Sequence, residues 1–363
     1  MKKEWWLLFL SVAVSFLLIC GIGEIFLRNR YGSNALPQTI GGGLPPHLVT
    51  PDKTLGYTLT PGFVGKTIIP GHAAVEDRIN RQGLRDYDRE FPPGAKLIFT
   101  VGDSMTYGHG VRFEEIWPTV LENKIRERSP DYYVVKAGVP GFSWPQIYKQ
   151  YKKLTESTGQ HPLVIVGFNV DAGERLKKPY EARGGMIVKS TYSNLVVLDG
   201  LVYEKQSRYE TINRLDTFLR KRSYFFRWFN QKFFYAYHQS KKRVTQVAPQ
   251  KGLQAPSPTR PPSEREHVQE AISNFNSTYE IAEKKNAKML VLFIGLPNES
   301  TDEIDFYKKF LSEKGIYFLD LSKFEDTARW RFQAGGHWNG EGHRQVAEKV
   351  YEFIIQNGLL DLK

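Results

Sequence analysis

Short apolar runs alternate with amphipathic stretches in two separate parts of the chain. The first part predicts strands and helices at 96–101, 114–128, 132–135, 145–155 and 163–167. The second part predicts them at 267–285, 288–296, 305–314, 316–321 and 341–357. Compact apolar runs separated by helices are typical of buried parallel strands. The pattern therefore predicts an α/β fold, a three-layer α/β/α sandwich with a parallel sheet.

The chain opens with a long apolar stretch at residues 5–26, behind two lysines. About twenty helical residues span the ~30 Å hydrocarbon core of a bilayer. The stretch is longer than the apolar region of a cleaved signal peptide, and no small-x-small cleavage site follows it. A buried core helix is the alternative, but Trp5 and Trp6 beside lysines are typical of a membrane interface. The sequence predicts a retained transmembrane signal anchor over residues 1–30.

Changes in composition divide the remaining chain. Residues 31–92 are rich in Gly, Pro and Thr and predict irregular structure with short strands. Residues 93–363 predict the α/β domain, interrupted by an insertion at about 172–263. Within the insertion, 215–237 mixes aromatic and basic residues, which favours a helix on a membrane surface, a lid, or an ordinary amphipathic helix packed on the domain. The proline-rich stretch 247–263 predicts an exposed linker.

Charge and cysteine content narrow the classes of function. The net charge of +11 over 363 residues suits an anionic membrane surface, an acidic polysaccharide or nucleic acid. No zinc-finger, RRM or helix-turn-helix motif accompanies it, so no nucleic-acid partner is predicted. The single cysteine, Cys20, excludes an internal disulfide and a cysteine-built metal site. None of the eight histidines is paired at ligand spacing with a suitable partner, so neither a metal nor a cofactor is predicted.

Polar residues follow the predicted strands, at the edge of a parallel sheet where ligands bind. The first strand ends in Gly102-Asp103-Ser104, where a serine hydroxyl would lie near free backbone N–H groups, although a serine there can also serve only as an N-cap. Gly138 and Asn169 follow the next two strands. His337 precedes the last helix, where it could take the proton of Ser104 or only support its loop. Four such positions at one edge favour a catalytic site.

Four short blocks of this sequence resemble those of the SGNH hydrolases, a family of GDSL-like esterases. The blocks are Gly102-Asp103-Ser104, Ala137-Gly138-Val139-Pro140-Gly141, Gly167-Phe168-Asn169, and His337-Trp338-Asn339 with Gly342-His343. Residues 79–86 and the end of the apolar stretch also resemble membrane-anchored members. The likeness covers about 23–171 and 265–357, and it implies a flavodoxin-like SGNH fold.

The resemblance implies a role for each block. Ser104 would attack an ester carbonyl while His337 takes its proton. The amides of Ser104 and Gly138 and the side chain of Asn169 would form the oxyanion hole, in which one donor typically contributes ~10²–10³ in rate. In the third block, Asp171 is an alternative match to Asn169.

The sequence departs from the family at the acid of the triad. The family places an aspartate two or three residues before the histidine, where this chain has Gly335 and Ala334. Three explanations remain. Either a backbone carbonyl orients the histidine in a Ser–His dyad, or a displaced acid such as Asp320 or Asp326 reaches it, or the site is impaired.

These observations predict an extracytoplasmic serine esterase or acyl-hydrolase that acts through an acyl-enzyme on an O-acylated carbohydrate or lipid. Its alternatives are an O-acyltransferase using the same route, and an impaired protein of this fold that binds polysaccharide or an envelope partner. A membrane-surface scaffold built on residues 215–237 is a further alternative. The expected location is the cell membrane, with a single pass and the catalytic domain outside the cytoplasm. The sequence identifies no protein partner.

Overall fold

The computed structural model of the chain divides into two compact units. One comprises Met1–Gln38 with Asn194–Ser257, and the other comprises Thr39–Ser193 with Pro258–Lys363. The residues that the structure describes are 3–31, 44–45, 47–67, 69, 72–156, 158–169, 180–183, 186–189, 195–198, 201–204, 218–219, 222–226, 228–229, 261–294, 301–321, 329–332 and 336–362.

Secondary structure follows the chain as a long helix, two hairpins, an α/β region, two further hairpins and a second α/β region. The first elements are α1 (Lys3–Tyr31), β1 (Val49–Asp52), β2 (Gly56–Leu59), β3 (Val64–Thr67) and β4 (Val75–Arg78). The first α/β region contains β5 (Lys96–Gly102), α2 (Ser104–Tyr107), α3 (Trp117–Arg128), β6 (Tyr132–Gly138), α4 (Trp144–Glu156) and β7 (Leu163–Asn169). The later hairpins are β8 (Tyr180–Arg183) with β9 (Met186–Lys189), and β10 (Leu195–Leu198) with β11 (Leu201–Glu204). The second α/β region contains α5 (Glu266–Lys284), β12 (Lys288–Ile294), α6 (Thr301–Glu313), β13 (Tyr317–Asp320) and α7 (Gly340–Gln356).

The second unit is built on a five-stranded parallel sheet in the order β13–β12–β7–β5–β6. Numbered along the chain, the five strands lie in the order 2-1-3-4-5, which is the flavodoxin-like arrangement. The predicted α/β class and parallel sheet are therefore confirmed. In this arrangement the chain reverses its direction of growth between β5 and β7, and ligands bind beyond the carboxyl ends of the strands at that point.

Both faces of the sheet are buried along β5, β6, β7 and β12, which explains why these strands are largely apolar. Successive side chains of β12 alternate between the two cores: Val291 and Phe293 face one, and Leu290 and Leu292 face the other. Helices α4 and α5 contribute to the first core, and α3 and α7 to the second. The helices on the two faces form the predicted three layers.

Helix boundaries differ from prediction where a local signal intervenes. The helix expected at 114–128 begins at Trp117, because Ile116 is extended and Pro118 occupies the first turn. A short 3₁₀ turn, Phe113–Glu115, precedes it. Helix α6 begins at Thr301, earlier than the apolar pattern indicated, with Asp302 and Glu303 in its first turn.

The described part of residues 31–92 forms two antiparallel hairpins, β1–β2 and β3–β4. Tyr57 and Leu59 of β2 are buried in the same core as strand β7. The Tyr57 hydroxyl also donates a hydrogen bond to the carbonyl of Pro140 at 2.9 Å. This region therefore packs against the α/β domain as part of the second unit.

A buried ion cluster attaches this region to strand β6. Lys136, 2 % exposed, lies 2.5 Å from Glu122 of α3 and 3.4 Å from Asp86. Arg89 also pairs with Glu122, at 2.7 Å. Burial acts to raise the pKa of Glu122, but Lys136 and Arg89 outweigh burial and lower it. Burial raises the pKa of Asp86, because Lys136 and Arg89 only partly offset it.

In the first unit, α1 contains an apolar stretch, Trp5–Asn29, of 25 residues. By length and composition it could cross a membrane, as a membrane anchor or a signal sequence would. Its apolar side chains are largely exposed in the protein. Of the insertion, residues 172–179, 205–217 and 230–260 lie outside the described residues, and they include most of the proline-rich stretch.

His343 of α7 is a buried histidine that must stay neutral. Its Nδ1 accepts a hydrogen bond from the Trp117 amide at 3.2 Å, where α3 begins. Burial, with smaller contributions from the charges of Arg85 and His337, lowers the pKa of His343 to about 3. Protonation would place an uncompensated charge between two helices of the core.

The buried neutral His343 predicts a loss of stability in acid. Its pKa is lower in the folded chain than the 6.5 of an ordinary histidine, so the unfolded chain binds the proton first as pH falls. We expect this group to lower the free energy of unfolding by about 1.4 kcal/mol between pH 7.5 and pH 5.5. Urea unfolding of the full chain in detergent measures this change. The control is His343→Gln, whose stability should depend less on pH by that amount, and an equal pH dependence would contradict the prediction.

Candidate active site

The turn after β5 presents Ser104 as the first residue of α2. Asp103 is the N-cap of this helix, and its carboxylate accepts the Met105 amide at 2.9 Å. The capping function therefore belongs to Asp103, which leaves the Ser104 hydroxyl available for another partner. Ser104 is 9 % exposed, at the carboxyl edge of the sheet.

Three glycines allow α2 to lie directly on the strand ends. A Cβ at Gly138 would lie 2.3 Å from the backbone nitrogen of Tyr107. At Gly102 and Gly167, a Cβ would lie 2.1 and 2.3 Å from Oγ1 of Thr106. Any side chain at these positions would displace the helix that carries Ser104. Their presence in three of the four sequence blocks thus has a steric reason.

The decisive geometry joins residues from the two ends of the domain. Nε2 of His337 lies 2.8 Å from Oγ of Ser104. With Nε2 unprotonated, the imidazole accepts the serine O–H and can remove its proton. The structure thus brings together the serine and histidine that the sequence singled out.

A small antiparallel bridge, Arg331 with Trp338, holds His337 in place. The amide of Phe332 donates to the carbonyl of His337 at 2.8 Å. Across the same bridge, the amide of Asn339 donates to the carbonyl of Trp330, also at 2.8 Å. The backbone on either side of the imidazole is therefore fixed by hydrogen bonds.

Asn339 also joins this bridge to the last helix. It is the N-cap of α7, and its side chain accepts the Gly342 amide at 2.9 Å. Gly342 has a steric role, since a Cβ there would lie 2.2 Å from the carbonyl oxygen of Trp330. Residues 337–342 form one rigid connection, which explains why the last sequence block extends beyond the histidine.

Gly138 and Asn169 end the two strands that flank β5. The Val139 amide donates to the Gly102 carbonyl at 3.0 Å. Because successive amides of a strand point to opposite sides, the Gly138 amide points away from β5. Asn169 is 5 % exposed, and its Nδ2 lies 3.5 Å from the carboxylate of Asp103. Asp171, the alternative match, lies outside the described residues.

The two candidate acids are placed differently. Asp320 ends β13 at the far edge of the sheet, and its carboxylate pairs with Lys308 of α6. Three strand spacings separate β13 from β5, which is about 14 Å in the hydrogen-bonding direction. Asp326 lies outside the described residues, as do Ala334 and Gly335. Among the described residues, no cluster of three or more His, Cys, Asp or Glu side chains is arranged to hold a metal.

His109 is a site residue that the sequence reasoning missed. Its ring is 3 % exposed and lies 4.7 Å from the ring of His337, centroid to centroid, at 50°. Gly108 and Gly110 on either side of it both have positive φ, so the chain turns sharply after α2 and returns the ring to the site. The available signal was this histidine between two glycines, shortly after the serine block.

Arg85 was also missed as an individual residue, although it lies within the segment 79–86. It is 1 % exposed and donates to the carbonyls of Tyr107, Gly108 and Val111 at 2.7–2.9 Å. Tyr107 is the last residue of α2, so its carbonyl has no intrahelical partner, and the guanidinium binds it together with two carbonyls of the turn that follows. Arg85 therefore fixes the end of α2 opposite to Ser104.

Asp77 balances the charge of Arg85. Its carboxylate lies 3.2 Å from the guanidinium and accepts the Tyr107 hydroxyl at 2.8 Å. Burial, together with the negative charge of Asp77, raises the pKa of Tyr107 well above its ordinary value. The group is a fully buried ion pair with a tyrosine, directly behind the serine helix.

Comparisons with known proteins found similar solved structures only. No family model and no curated protein matches the sequence. The solved structure of TesA is similar over 73 % of this chain and 100 % of its own, with 14 % identity and a TM-score of 0.42. The structure of the psychrotrophic esterase EstA from a Pseudoalteromonas species is similar over 72 % of this chain and 97 % of its own, with 11 % identity and a TM-score of 0.42. The structure of the acetyl xylan esterase AlAXEase is similar over 71 % of this chain and 99 % of its own, with 15 % identity and a TM-score of 0.36. These similarities concern the fold, which the strand order establishes independently.

The environment of Arg85 predicts a large effect on stability. Arg85→Met would leave the Asp77 carboxylate and three buried carbonyls without their cation. We expect the free energy of unfolding to fall by about 3–5 kcal/mol. Arg78→Met is the matched control, because Arg78 pairs with Glu76 while both side chains are more than half exposed. We expect that change to alter the free energy by less than about 1 kcal/mol. Urea unfolding of both variants tests the difference, and equal losses would contradict it.

Proposed function

We propose that this chain is a serine hydrolase that cleaves ester bonds through an acyl-enzyme intermediate. The observation that carries the proposal is the 2.8 Å contact between Ser104 Oγ and His337 Nε2 at the carboxyl edge of the sheet. A nucleophile within hydrogen-bond distance of its base is the arrangement that acyl transfer requires.

The reaction would proceed in two stages. First, His337 removes the hydroxyl proton as Ser104 Oγ attacks the ester carbonyl, and the protonated imidazole then gives this proton to the departing alcohol. Next, His337 removes a proton from water, which attacks the acyl-serine. When the tetrahedral intermediate collapses, Ser104 regains its proton from the imidazole and the carboxylic acid is released.

The oxyanion of both tetrahedral intermediates needs hydrogen-bond donors. We assign this role to the amides of Ser104 and Gly138 and to Nδ2 of Asn169. The positions of Gly138 and Asn169 at the ends of the two strands that flank β5 support the assignment, as does the proximity of Asn169 Nδ2 to Asp103, the N-cap of α2. One such donor typically contributes about 10²–10³ in rate.

The proposed substrate is an O-acylated carbohydrate or lipid, reached from outside the cytoplasm by a domain anchored through residues 5–26. The net charge of +11 for the whole chain supports association with an anionic surface or an acidic polymer. Transfer to another hydroxyl would use the same acyl-enzyme and differ only in the acceptor. Analysis of the products formed with and without an added alcohol separates hydrolysis from transfer.

The Ser104–His337 pair predicts reaction with a fluorophosphonate probe. We expect the full chain in detergent to be labelled, and Ser104→Ala to be unlabelled. We expect His337→Ala to react with the probe at least about 10⁴-fold more slowly than the unaltered chain, because its base is gone. Ser143→Ala and His47→Asn serve as matched controls that should label as the unaltered chain does. Labelling of Ser104→Ala, or none of the folded unaltered chain, would refute the hydrolase proposal.

The acid that supports His337 can be tested directly. We expect Asp320→Asn to keep its rate within about threefold, because Asp320 pairs with Lys308 and lies three strands from β5. The rate of the Asp326→Asn variant should fall by up to about 10⁴-fold if this carboxylate orients the imidazole. If the site is a Ser–His dyad, that rate should stay unchanged. The rate of hydrolysis of an activated ester measures both. A large loss in Asp320→Asn with unchanged stability would overturn our placement of Asp320.

A further inference from the structure

The carboxyl end of α1 packs against described residues of the range 218–229, which we call segment 218–229. Glu24 of α1 accepts hydrogen bonds from the Ser223 hydroxyl and the Phe225 amide, both at 2.9 Å. Its carboxylate also pairs with Arg28, one turn further along the helix, at 2.7 Å. Ser223 in turn accepts the Phe226 amide at 3.0 Å, as an N-cap does for the helical residues that follow.

Apolar packing makes the same contact specific. A Cβ at Gly23 would lie 2.5 Å from the ring of Phe225, so the ring occupies space that only glycine leaves. Leu27 and Tyr224 are 6 % and 5 % exposed and form a small core with Trp228. The guanidinium of Arg28 also lies 5.1 Å above the Tyr224 ring. Polar and apolar contacts thus fix the segment to one face of α1.

The outer side of segment 218–229 is aromatic and basic. Phe218 and Phe229 are 51 % and 54 % exposed. The exposed Arg222 places its guanidinium 4.1 Å from the ring centroid of Phe218. Aromatic rings with cations are the composition of a helix that lies at the headgroup boundary of a bilayer.

The length of α1 places this contact at a definite depth. At 1.5 Å rise per residue, about twenty residues after Trp5 span the ~30 Å hydrocarbon core, so the helix leaves it near Ile25. Gly23 and Glu24 then lie at the boundary of the hydrocarbon core, and Leu27 and Arg28 lie at the level of the lipid headgroups. A carboxylate within the hydrocarbon would be very unfavourable, whereas Glu24 at the boundary has its hydrogen bonds satisfied by segment 218–229.

We propose that segment 218–229 lies on the membrane surface where α1 leaves the bilayer, held there by Gly23 and Glu24. Its exposed phenylalanines contact the acyl boundary, and Arg222 contacts the phosphates of phospholipid headgroups. The inference rests on the anchor role given to α1 in the proposed function. It adds a second, parallel attachment that the apolar stretch alone does not provide.

Depth-dependent fluorescence quenching tests this placement. The full chain carrying Cys20→Ser and Phe229→Cys, labelled with an environment-sensitive dye at the new cysteine, is reconstituted into phosphatidylcholine–phosphatidylglycerol vesicles. We expect lipids brominated near the carbonyl end of the acyl chain to reduce the dye emission strongly. Lipids brominated near the terminal methyl group should reduce it little.

Two glycines of α1 provide a matched pair of variants. Gly23→Leu would collide with Phe225, whereas Gly21→Leu has no neighbour within 4 Å of the added Cβ. We call quenching by lipids brominated near the carbonyl end of the acyl chain shallow quenching. We expect Gly23→Leu to abolish this shallow quenching, and Gly21→Leu to retain it. Glu24→Gln, which weakens the hydrogen bonds from Ser223 and Phe225, should lower it partially.

Flotation of the vesicles separates the possible failures. Protein that floats without shallow quenching overturns the inference while leaving the anchor intact. Protein that does not float overturns both the anchor and the inference that rests on it. Quenching that survives Gly23→Leu overturns the role assigned to the contact with α1. Fluorophosphonate labelling of the same samples reports on the hydrolase proposal separately.

Discussion

The close approach of α2 to the ends of three strands is the constraint on which the rest of the site depends. Gly102, Gly138 and Gly167 each lack the one atom that would collide with the helix. Because α2 is a single turn, its hydrogen bonds alone cannot hold it, and the contacts at both of its ends determine where Ser104 lies. Asp103 provides the contact at the start, and Arg85 provides it at the end.

Charged groups are buried in this domain where short elements meet and backbone groups need partners. Arg85 supplies hydrogen bonds that an apolar residue of the same volume could not, and Asp77 makes its burial tolerable. Lys136 and its carboxylates do the same between β6, α3 and the chain before β5. The region before the sheet is thus part of the scaffold of the candidate site, because it contributes Asp77, Arg85 and Asp86.

The sequence predicted the sheet well because its strands are buried on both faces and read as continuous apolar runs. It predicted the strand ends less well, since β6 continues through Lys136, whose burial depends on partners distant in sequence. Ser104 and His337 were found because each lies in a polar, glycine-rich block after an apolar run. Arg85 and His109 were not, because their roles depend on contacts across the fold that no local pattern records. The steric reason for the glycines likewise requires the position of α2.

The departure at Gly335 separates two tasks that one aspartate usually performs. That residue both fixes the orientation of the imidazole and stabilises its positive charge during the reaction. The Arg331–Trp338 bridge and the ring of His109 act on orientation, through hydrogen bonds and packing. In a Ser–His dyad these contacts would do little for the charge, so the base would be weaker than that of a protease triad, whereas a carboxylate from Asp326 would restore this second task. An ester makes a smaller demand than an amide, because its alcohol leaves more readily than an amine and needs less help from the protonated base. Acyl esters are therefore the substrates that a Ser–His dyad of this kind would suit better than amides, in agreement with the proposed function.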